Sequence, residues 1–145
     1  MSQEASPKAV LLDTCAVIWL ANGDVLRPPG RETVISAAFD AGVFVSPISA
    51  WEIGLLDRSK AGRNIAFLPD PATWFARFVA GPGIRPAPFT WEIAIGASRL
   101  PEPLHGDPAD RLLIATARYL NLPIVTRDAQ IKAYAAAGHV QLVAC

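Results

Sequence analysis

Residues 10–19 read VLLDTCAVIW, and this stretch decides the fold because it joins a strand, a polar break and the start of a helix. Val10–Leu12 is a short apolar run, which is typical of a strand buried on both faces. Helical spacing of apolar residues follows over Ala16–Ala21 and ends at an Asn-Gly pair. The stretch therefore predicts a β-strand followed by an α-helix, with Asp13 at the carboxyl end of the strand.

Short apolar runs and helical segments continue to alternate along the rest of the chain. We predict buried strands over residues 43–45 and 123–125, a last strand over 140–143, and a short edge strand or extended link over the proline-rich residues 81–88. Helices are predicted over residues 32–41, 48–59, 72–80, 90–100, 108–120 and 128–137. This alternation predicts an α/β domain with a central, largely parallel sheet between helical layers.

The composition favours one globular domain. Hydrophobic residues make up 52% of the 145 residues and charged residues 18%, which excludes intrinsic disorder. The apolar runs are much shorter than the roughly 20 residues that a membrane-spanning helix needs. Residues 1–8 form a polar leader without the apolar stretch of a signal peptide, so we expect a cytoplasmic protein whose single domain covers residues 9–145.

Charge and cysteine content leave the class of partner open. Thirteen Lys and Arg residues balance thirteen Asp and Glu residues, so the net charge neither supports nor excludes a nucleic-acid substrate. Cys15 and Cys145 are the only two cysteines, which indicates neither a disulfide framework nor a zinc site. Any affinity for a nucleic acid would have to come from a local basic patch.

Four acidic residues occupy positions at which chemistry is expected. Asp13 ends the first strand, and Asp128 comes shortly after the strand over 123–125. Because parallel α/β sheets place their sites at the carboxyl ends of the strands, both should open onto the same edge. Glu52 and Asp110 each share a helix face with apolar residues. A carboxylate on a core-facing stripe must be neutralised, hydrogen-bonded or bound to a metal.

These four acids together predict an acidic pocket. Carboxylates so close to one another repel strongly unless a cation holds them together. A ligand set of oxygens without His or Cys favours Mg²⁺, with Mn²⁺ as the alternative, over zinc. The sequence therefore predicts a site for a hard divalent cation.

Most of the acids also have an ordinary structural explanation. Glu52 fits a capping box with the serine three residues before it, and Asp128 fits the N-cap of the helix that follows it. Asp107 stands before a proline and fits an N-cap, which is the interpretation we favour for it. Asp110 would then lie in the first turn, where the helix dipole favours a carboxylate. Asp13 is the exception, because the end of a buried strand suggests no comparable structural role.

Four motifs resemble those of the PIN-domain ribonucleases, and in particular the VapC-type toxins of type II toxin–antitoxin systems. Residues 10–19 (VLLDTCAVIW) resemble their opening strand and helix, and residues 46–53 (SPISAWEI) resemble their second acidic motif. Residues 105–117 (HGDPADRLLIATA) are similar to the third motif, which is the most specific, and residues 122–128 (LPIVTRD) to the fourth. The order and spacing of the motifs hold over nearly the whole chain.

The resemblance implies a three-layer α/β/α sandwich and endonucleolytic cleavage of RNA that depends on Mg²⁺. It implies four metal-binding catalytic acids: Asp13, Glu52, Asp110 and Asp128. Asp107 is an auxiliary candidate, and the hydroxyl of Thr126 is a candidate for orienting the site. The partners implied are an RNA substrate, a VapB-like antitoxin whose tail covers the acidic pocket, and a second toxin chain in a homodimer.

The expected mechanism is in-line attack on the scissile phosphorus by water activated by one or two Mg²⁺ ions. Candidates for contact with the substrate phosphates are Arg58, Lys60, Arg63, Arg111 and Arg127. The first three form a basic cluster just after Glu52, and a solvated helix end is the alternative interpretation of that cluster. The other two each stand next to a proposed metal ligand.

Cys15 is the clearest departure from the family pattern, since many relatives carry His after the Asp-Thr pair. The position is not one of the acidic ligands, so the prediction of activity stands, and we expect Cys15 to be a small buried hydrophobe. His105 precedes the third motif and either lines the pocket or is solvated. Neither His105 nor His139 supplies a convincing acid–base pair.

Two other functional classes are alternatives. A receiver-type phospho-acceptor domain would show an acidic pair after the first strand, whereas here Asp13 is preceded by Leu12. A receiver also has a functional lysine late in the chain, whereas the only late lysine here, Lys132, lies inside a predicted helix. A catalytically silent PIN fold that only binds partners is the second alternative, and the presence of all four acids argues against it. Metal-dependent cleavage of RNA would separate both classes from the nuclease.

Overall fold

A five-stranded sheet forms the centre of the structure, a computed structural model that describes residues 7–59 and 65–145. The strands are β1 (Ala9–Leu12), β2 (Gly42–Val45), β3 (Ile84–Pro86), β4 (Ile124–Thr126) and β5 (Leu142–Ala144). Their order in the sheet is β3-β2-β1-β4-β5, and every neighbouring pair is parallel. The prediction of a central, largely parallel sheet is confirmed.

Seven helices lie within the described residues. They are α1 (Thr14–Ala21), α2 (Gly30–Ala38), α3 (Pro47–Ser59), α4 (Pro71–Val79), α5 (Trp91–Ser98), α6 (Pro108–Leu120) and α7 (Ala129–Ala136). Among these helices, none combines the length and the apolarity that crossing a bilayer would require.

The two faces of the sheet are covered by different helices. Leu11 and Ile124 pack with buried side chains of α5, α6 and α7 on one face. Leu12 and Val125 pack on the other face with buried side chains of α1 and α2 and with half-buried aromatic residues of α4. Because successive side chains of a strand point to opposite faces, each central strand contributes to both layers of the core. The three-layer α/β/α sandwich is therefore confirmed.

The order of the strands reverses beside β1. The chain lays β1, β2 and β3 toward one edge of the sheet and then returns to place β4 on the other side of β1. In open α/β sheets, the carboxyl ends of the strands at such a reversal border a crevice in which ligands bind. Leu12 pairs with Val125 at this end of the sheet, so the segments that follow β1 and β4 leave it side by side.

Helix α2 differs from its predicted bounds, because it ends at Ala38 and not at residue 41. Gly42 already lies in β2, where it pairs with Ala9, and the chain must therefore be extended by that point. The φ of Gly42 is +117°, and a Cβ atom there would lie 2.6 Å from the Cδ atom of Arg85. Helical spacing could not reveal this end, because it depends on pairing with a distant strand.

Strand β3 lies at one edge of the sheet, as predicted for the proline-rich segment. It pairs with β2 alone, in the register Val45 with Pro86. An edge strand tolerates proline, which has no backbone N–H group, because one side of the strand has no neighbour with which to form hydrogen bonds.

A candidate carboxylate site at the end of the sheet

The crevice between the ends of β1 and β4 holds a pocket of about 300 Å³ into which four carboxylates project. Four different segments supply them: the end of β1, helix α3, helix α6 and the loop after β4. The carboxylates are those of Asp13, Glu52, Asp110 and Asp128, and they share the pocket with Thr14, Cys15, Trp19 and Arg127. A larger pocket of about 400 Å³ lies elsewhere, but Glu102 is the one carboxylate residue that lines it. The structure thus brings the four predicted acids together.

Asp13 is the most buried of the four acids, with 7% of its surface exposed. Its Oδ1 accepts a hydrogen bond of 2.8 Å from the backbone N–H of Ala16, so Asp13 is the N-cap of α1. The expectation that Asp13 lacks a capping role is wrong, because the strand passes into the helix without an intervening loop. The pKa of Asp13 is raised from 3.8 to about 6, mainly because burial disfavours its charged form. The charges of Asp110 and Asp128 also raise this pKa, whereas the hydrogen bonds from Thr126 and Ala16 lower it in part.

Thr126 connects the first and last of these acids. Its buried hydroxyl donates a hydrogen bond to Oδ2 of Asp13 and accepts one of 3.0 Å from the backbone N–H of Asp128. The geometry is that of a group that orients two neighbouring carboxylate residues. A second hydrogen-bond shell of this kind holds the ligands of metal sites in place.

Glu52 is held by a network of hydroxyls and not by its own helix. Thr14 donates a hydrogen bond to Oε1 of Glu52, and the Thr14 and Ser49 hydroxyls lie 2.9 Å apart in a buried contact. Ser46 Oγ accepts from the backbone N–H of Ile48, which makes Ser46 the residue that caps α3. Ser49 lies inside the helix, so the capping-box interpretation of Glu52 is wrong. Burial raises the pKa of Glu52, and the charge of the neighbouring Asp110 adds to this effect.

Asp110 is half-buried and lies 2.8 Å from His105, between Oδ2 and Nε2. Burial raises the pKa of Asp110, although the hydrogen bond from His105 lowers it in part. Asp107 is exposed and caps α6 by accepting a hydrogen bond of 3.1 Å from the backbone N–H of Asp110, which is the role favoured for it from the sequence. His105 therefore reaches the site by its contact with Asp110, where the sequence left its position open.

Asp128 is exposed and combines two positions that the sequence presented as alternatives. Its Oδ1 accepts hydrogen bonds of 2.9 Å from the backbone N–H groups of Gln130 and Ile131, so it caps α7. Asp128 also lines the carboxylate pocket. Within the described residues no hydrogen bond reaches its Oδ2, and this oxygen is the one available to the pocket.

The chemistry of the pocket fits a hard divalent cation. Every acidic donor is a carboxylate oxygen, the ligand type of Mg²⁺ and Mn²⁺. The pKa values of Asp13, Glu52 and Asp110 are all raised, because these groups are desolvated by burial and are repelled by the charges of neighbouring acids. Within residues 7–59 and 65–145, no three Asp, Glu, His or Cys side chains are already gathered at chelating positions. The four carboxylates line one common space.

The predicted phosphate-binding residues are spread over different regions. Arg127 lines the pocket. Arg111 does not, because its Nε donates to the carbonyl oxygen of Ala97 and its Nη2 lies 3.4 Å from Oε1 of Glu102. Arg58 is exposed in the last turn of α3. Lys60 and Arg63 lie outside the described residues.

Cys15 lines the carboxylate pocket and is exposed, so the expectation of a buried hydrophobe is wrong. It occupies the first turn of α1 and faces the pocket, whereas Ala16 and Val17, which follow it, face the core. Desolvation in the pocket raises the pKa of its thiol to about 11, and the charges of Asp13 and Glu52 contribute to the rise. The thiol therefore stays protonated near neutral pH and adds no charge to the carboxylates.

Thr14, Ser49 and Trp19 are site residues that the sequence interpretation did not single out. Thr14 and Ser49 support Glu52, and a buried hydroxyl that lies opposite a helix acid is recognisable only once the two helices are packed. The ring of Trp19 lies under the guanidinium of Arg127, with 3.4 Å between the Arg127 Cζ atom and the ring centroid. The sequence feature that could have indicated Thr14 and Trp19 as site residues is that both lie in the same motif as Asp13.

Comparison with known proteins agrees with this architecture. One similar solved structure is that of VapBC2 from Rickettsia felis bound to a DNA fragment from the promoter. It superimposes with a TM-score of 0.65 at 16% identity, over 94% of this chain and 98% of that chain. FitAcB from Neisseria gonorrhoeae superimposes with a TM-score of 0.54 at 21% identity, over 92% and 96% of the two chains. At these identities the likeness shows the fold. No curated protein sequence gave a match. The PIN domain family matches residues 10–137, the stretch that holds β1, β4 and all four carboxylates, and the chain therefore belongs to the PIN-domain family.

Proposed function

We propose that this PIN-domain protein is a Mg²⁺-dependent endoribonuclease and acts as the toxin of a toxin–antitoxin pair. The observation that carries the proposal is the convergence of four carboxylates on one pocket at the carboxyl ends of β1 and β4. Holding ionised carboxylates so close together in a partly buried site is unfavourable, as the raised pKa values of Asp13, Glu52 and Asp110 indicate. A bound cation would remove that unfavourable energy, so the arrangement suits a metal site.

In this proposal Asp13, Glu52, Asp110 and Asp128 hold the ion, and Asp107 acts as an auxiliary acid through its charge near Asp110. The oxygen donors favour Mg²⁺, and Mn²⁺ is an acceptable substitute. When bound, the metal supplies Lewis-acid chemistry, because it stabilises negative charge on the phosphate and makes water at the site more acidic. No histidine or thiolate is needed for this chemistry.

The residues around the acids keep them in orientation before any ligand arrives. Asp13 has both oxygens engaged, by Ala16 and by Thr126, so the orientation of its carboxylate at the pocket wall is fixed. Glu52 is fixed by Thr14, and Asp110 by His105. A catalytic site gains rate when its polar groups are already oriented for the transition state, since no reorganisation is then needed during the reaction.

The substrate we propose is RNA, with Arg127 as the contact to a phosphate at the pocket. Arg58 would extend this contact along the end of α3. Lys60 and Arg63 continue the same basic cluster in the sequence and are proposed with it. Arginine suits this role because its planar donors match the geometry of a phosphate group.

The partner we propose is a VapB-like antitoxin whose tail covers the carboxylate pocket. The four motifs resemble VapC-type toxins, and the fold resembles that of VapBC2 and FitAcB. An apolar groove of about 360 Å³ adjoins the carboxylate pocket and shares Thr14, Cys15, Trp19 and Glu52 with it, which gives such a tail a surface to bury. A second toxin chain in a homodimer is proposed from the family resemblance.

The experiment that tests the proposal is cleavage of a mixed RNA pool by purified protein free of antitoxin, with Mg²⁺ or with EDTA. An Asp13→Asn variant purified in parallel is the control for a contaminating nuclease. We expect cleavage that requires the metal and is lost in the variant. Equal cleavage by both proteins would indicate contamination. RNA binding without cleavage by the folded wild-type protein would favour a binding module that has kept the PIN fold.

A further inference from the structure

Arg127 is beside the carboxylates but is not paired with any of them. Across the described residues the ion pairs are His105 with Asp110 and Arg111 with Glu102, and neither includes Arg127. The guanidinium of Arg127 lies instead on the ring of Trp19, with its Cζ atom 3.4 Å from the ring centroid. Both side chains line the same pocket as the acids.

This arrangement needs an explanation, because an arginine next to several carboxylates ordinarily forms a charge-assisted, bidentate pair with one of them. The negative face of an indole ring also attracts a guanidinium, and tryptophan is the best aromatic partner for it. Stacking occupies the flat face of the guanidinium and leaves the N–H groups in its plane free to bond. Arg127 can therefore be held by Trp19 and still present its donors to an incoming group.

The two residues reach each other across the reversal of the strand order. Trp19 is on α1, six residues after Asp13, and is half-buried against the core layer that contains Val125. Arg127 directly follows β4 and precedes Asp128. Cys145 lies against Arg127, and their contact lowers the pKa of the thiol in part, although burial raises it overall. The indole thus packs against the core, whereas Arg127 is exposed at the pocket.

We propose that Trp19 is a positioning residue, which holds Arg127 beside the carboxylates but out of ion pairing with them. The acids then stay available to a divalent cation, and Arg127 stays available to a phosphate of the substrate. Without the indole, the guanidinium would fall onto the acids and compete with the metal for them. The inference deepens the proposed function and rests on it, because it takes the pocket to be a metal and phosphate site.

The test is a double-mutant cycle read out by metal binding without RNA. Mn²⁺ binding is measured by electron paramagnetic resonance for the wild type, Trp19→Leu, Arg127→Ala and the double variant. We expect Trp19→Leu to weaken Mn²⁺ binding about threefold to tenfold, the effect expected of a cation–π contact near a charged site. Arg127→Ala in the same chain should restore the affinity, because the competing cation is gone. Trp19→Phe, which keeps an aromatic face, should retain most of the wild-type affinity.

Two outcomes would overturn the inference. If Trp19→Leu binds Mn²⁺ as the wild type does, the indole has no positioning role. If Trp19→Leu and the double variant bind Mn²⁺ equally weakly, the role of Trp19 is to support the fold and not to position Arg127. Trp91→Leu, at an exposed tryptophan that does not line the pocket, is the matched control for loss of an indole.

The same measurements separate this inference from the proposed function. A wild-type protein that binds Mn²⁺ and shows the coupling between Trp19 and Arg127, but does not cleave RNA, would contradict the nuclease and leave the positioning role standing. Cleavage by the wild type without coupling would contradict the positioning role alone. A wild-type protein that binds no Mn²⁺ would overturn both.

Discussion

Thr126 donates a hydrogen bond to Oδ2 of Asp13 from 113 positions further along the chain. Thr126 is the last residue of β4, and Asp13 directly follows β1, the neighbouring strand. The same hydroxyl accepts from the backbone N–H of Asp128. One buried hydroxyl therefore sets the orientation of the most buried acid and the position of the most exposed one.

Replacing Thr126 with valine tests that relationship, since valine keeps the shape of the side chain and removes its hydroxyl. We expect the rate of RNA cleavage to fall about tenfold to a hundredfold, the usual effect of losing a group that orients a metal ligand. We also expect a decrease of about 1–3 kcal/mol in the free energy of unfolding, because a buried oxygen of Asp13 loses its donor. Cleavage assays and urea denaturation measure the two effects.

Thr116→Val is the matched control for this change. Thr116 is also fully buried, but its hydroxyl bonds to the carbonyl oxygen of Leu112 within α6. Loss of that hydroxyl should leave cleavage unchanged. Equal activity of Thr126→Val and the wild type would show that the hydroxyl has no role in orienting the site.

Much of the site was predictable because it follows from the alternation of strands and helices. The placement of Asp13 and Asp128 at one edge required only that β1 and β4 be parallel and buried, and their apolar runs indicate this. Glu52 was predictable as an acid on a core-facing stripe. The reason for its placement was not, because the hydroxyl of Thr14 that holds it belongs to another helix.

The errors come from features that depend on packing and not on local pattern. Ser49 and Glu52 have the spacing of a capping box, but α3 begins at Pro47 with Ser46 as its cap. Cys15 directly precedes residues that face the core, but at the start of α1 its side chain is directed at the pocket. Neither outcome can be read from spacing until the point at which the helix begins is known.

Replacing Asp13 with asparagine should stabilise the metal-free protein near neutral pH. The pKa of Asp13 is raised from 3.8 to about 6, so above pH 6 the fold holds a buried carboxylate that is better solvated in the unfolded chain. A shift of this size corresponds to about 3 kcal/mol of stability lost to the buried charge. The variant should regain only part of this, because the hydrogen bond between its asparagine and Thr126 is weaker. We expect Asp13→Asn to raise the free energy of unfolding at pH 7.5 by about 1–2 kcal/mol in urea with EDTA present.

The sign of the pH dependence provides a second readout of the same change. Between about pH 4 and pH 6 the native state binds a proton at Asp13 that the unfolded state has released, so this group makes the wild type less stable as the pH rises through that range. The variant should lack this component. Mg²⁺ should stabilise the wild type at pH 7.5 and have little effect on the variant. A wild type that gains stability from Asp13 as the pH rises would contradict the raised pKa.

The termini of the RNA products report which group attacks the phosphorus. If the carboxylates serve a metal that activates water, cleavage leaves a 5′-phosphate and a 3′-hydroxyl. Ligation-based end mapping with and without phosphatase treatment distinguishes these ends. Products with a 2′,3′-cyclic phosphate would mean that the 2′-hydroxyl is the nucleophile, and the proposed role of the four acids would then be wrong.

Arg127 and Arg111 stand next to two proposed metal ligands in the sequence, but the structure directs them to different places. Arg127 opens onto the carboxylate pocket, whereas Arg111 donates to the carbonyl oxygen of Ala97 and pairs with Glu102. We expect Arg127→Ala to weaken RNA binding and to lower the slope of log affinity against log salt by about 0.7, the value for one phosphate contact on a single strand. The measurement is filter binding across a salt series, with EDTA to prevent cleavage.

Arg111→Ala serves as the paired variant, because both changes remove one guanidinium next to a proposed metal ligand in the sequence. It should leave the salt slope of RNA binding unchanged and lower the free energy of unfolding by about 1 kcal/mol, since a carbonyl on α5 loses its donor. Equal slopes for Arg127→Ala and the wild type would contradict a phosphate contact at the pocket. A reduced slope for Arg111→Ala would mean that its guanidinium leaves Glu102 for the substrate when RNA binds.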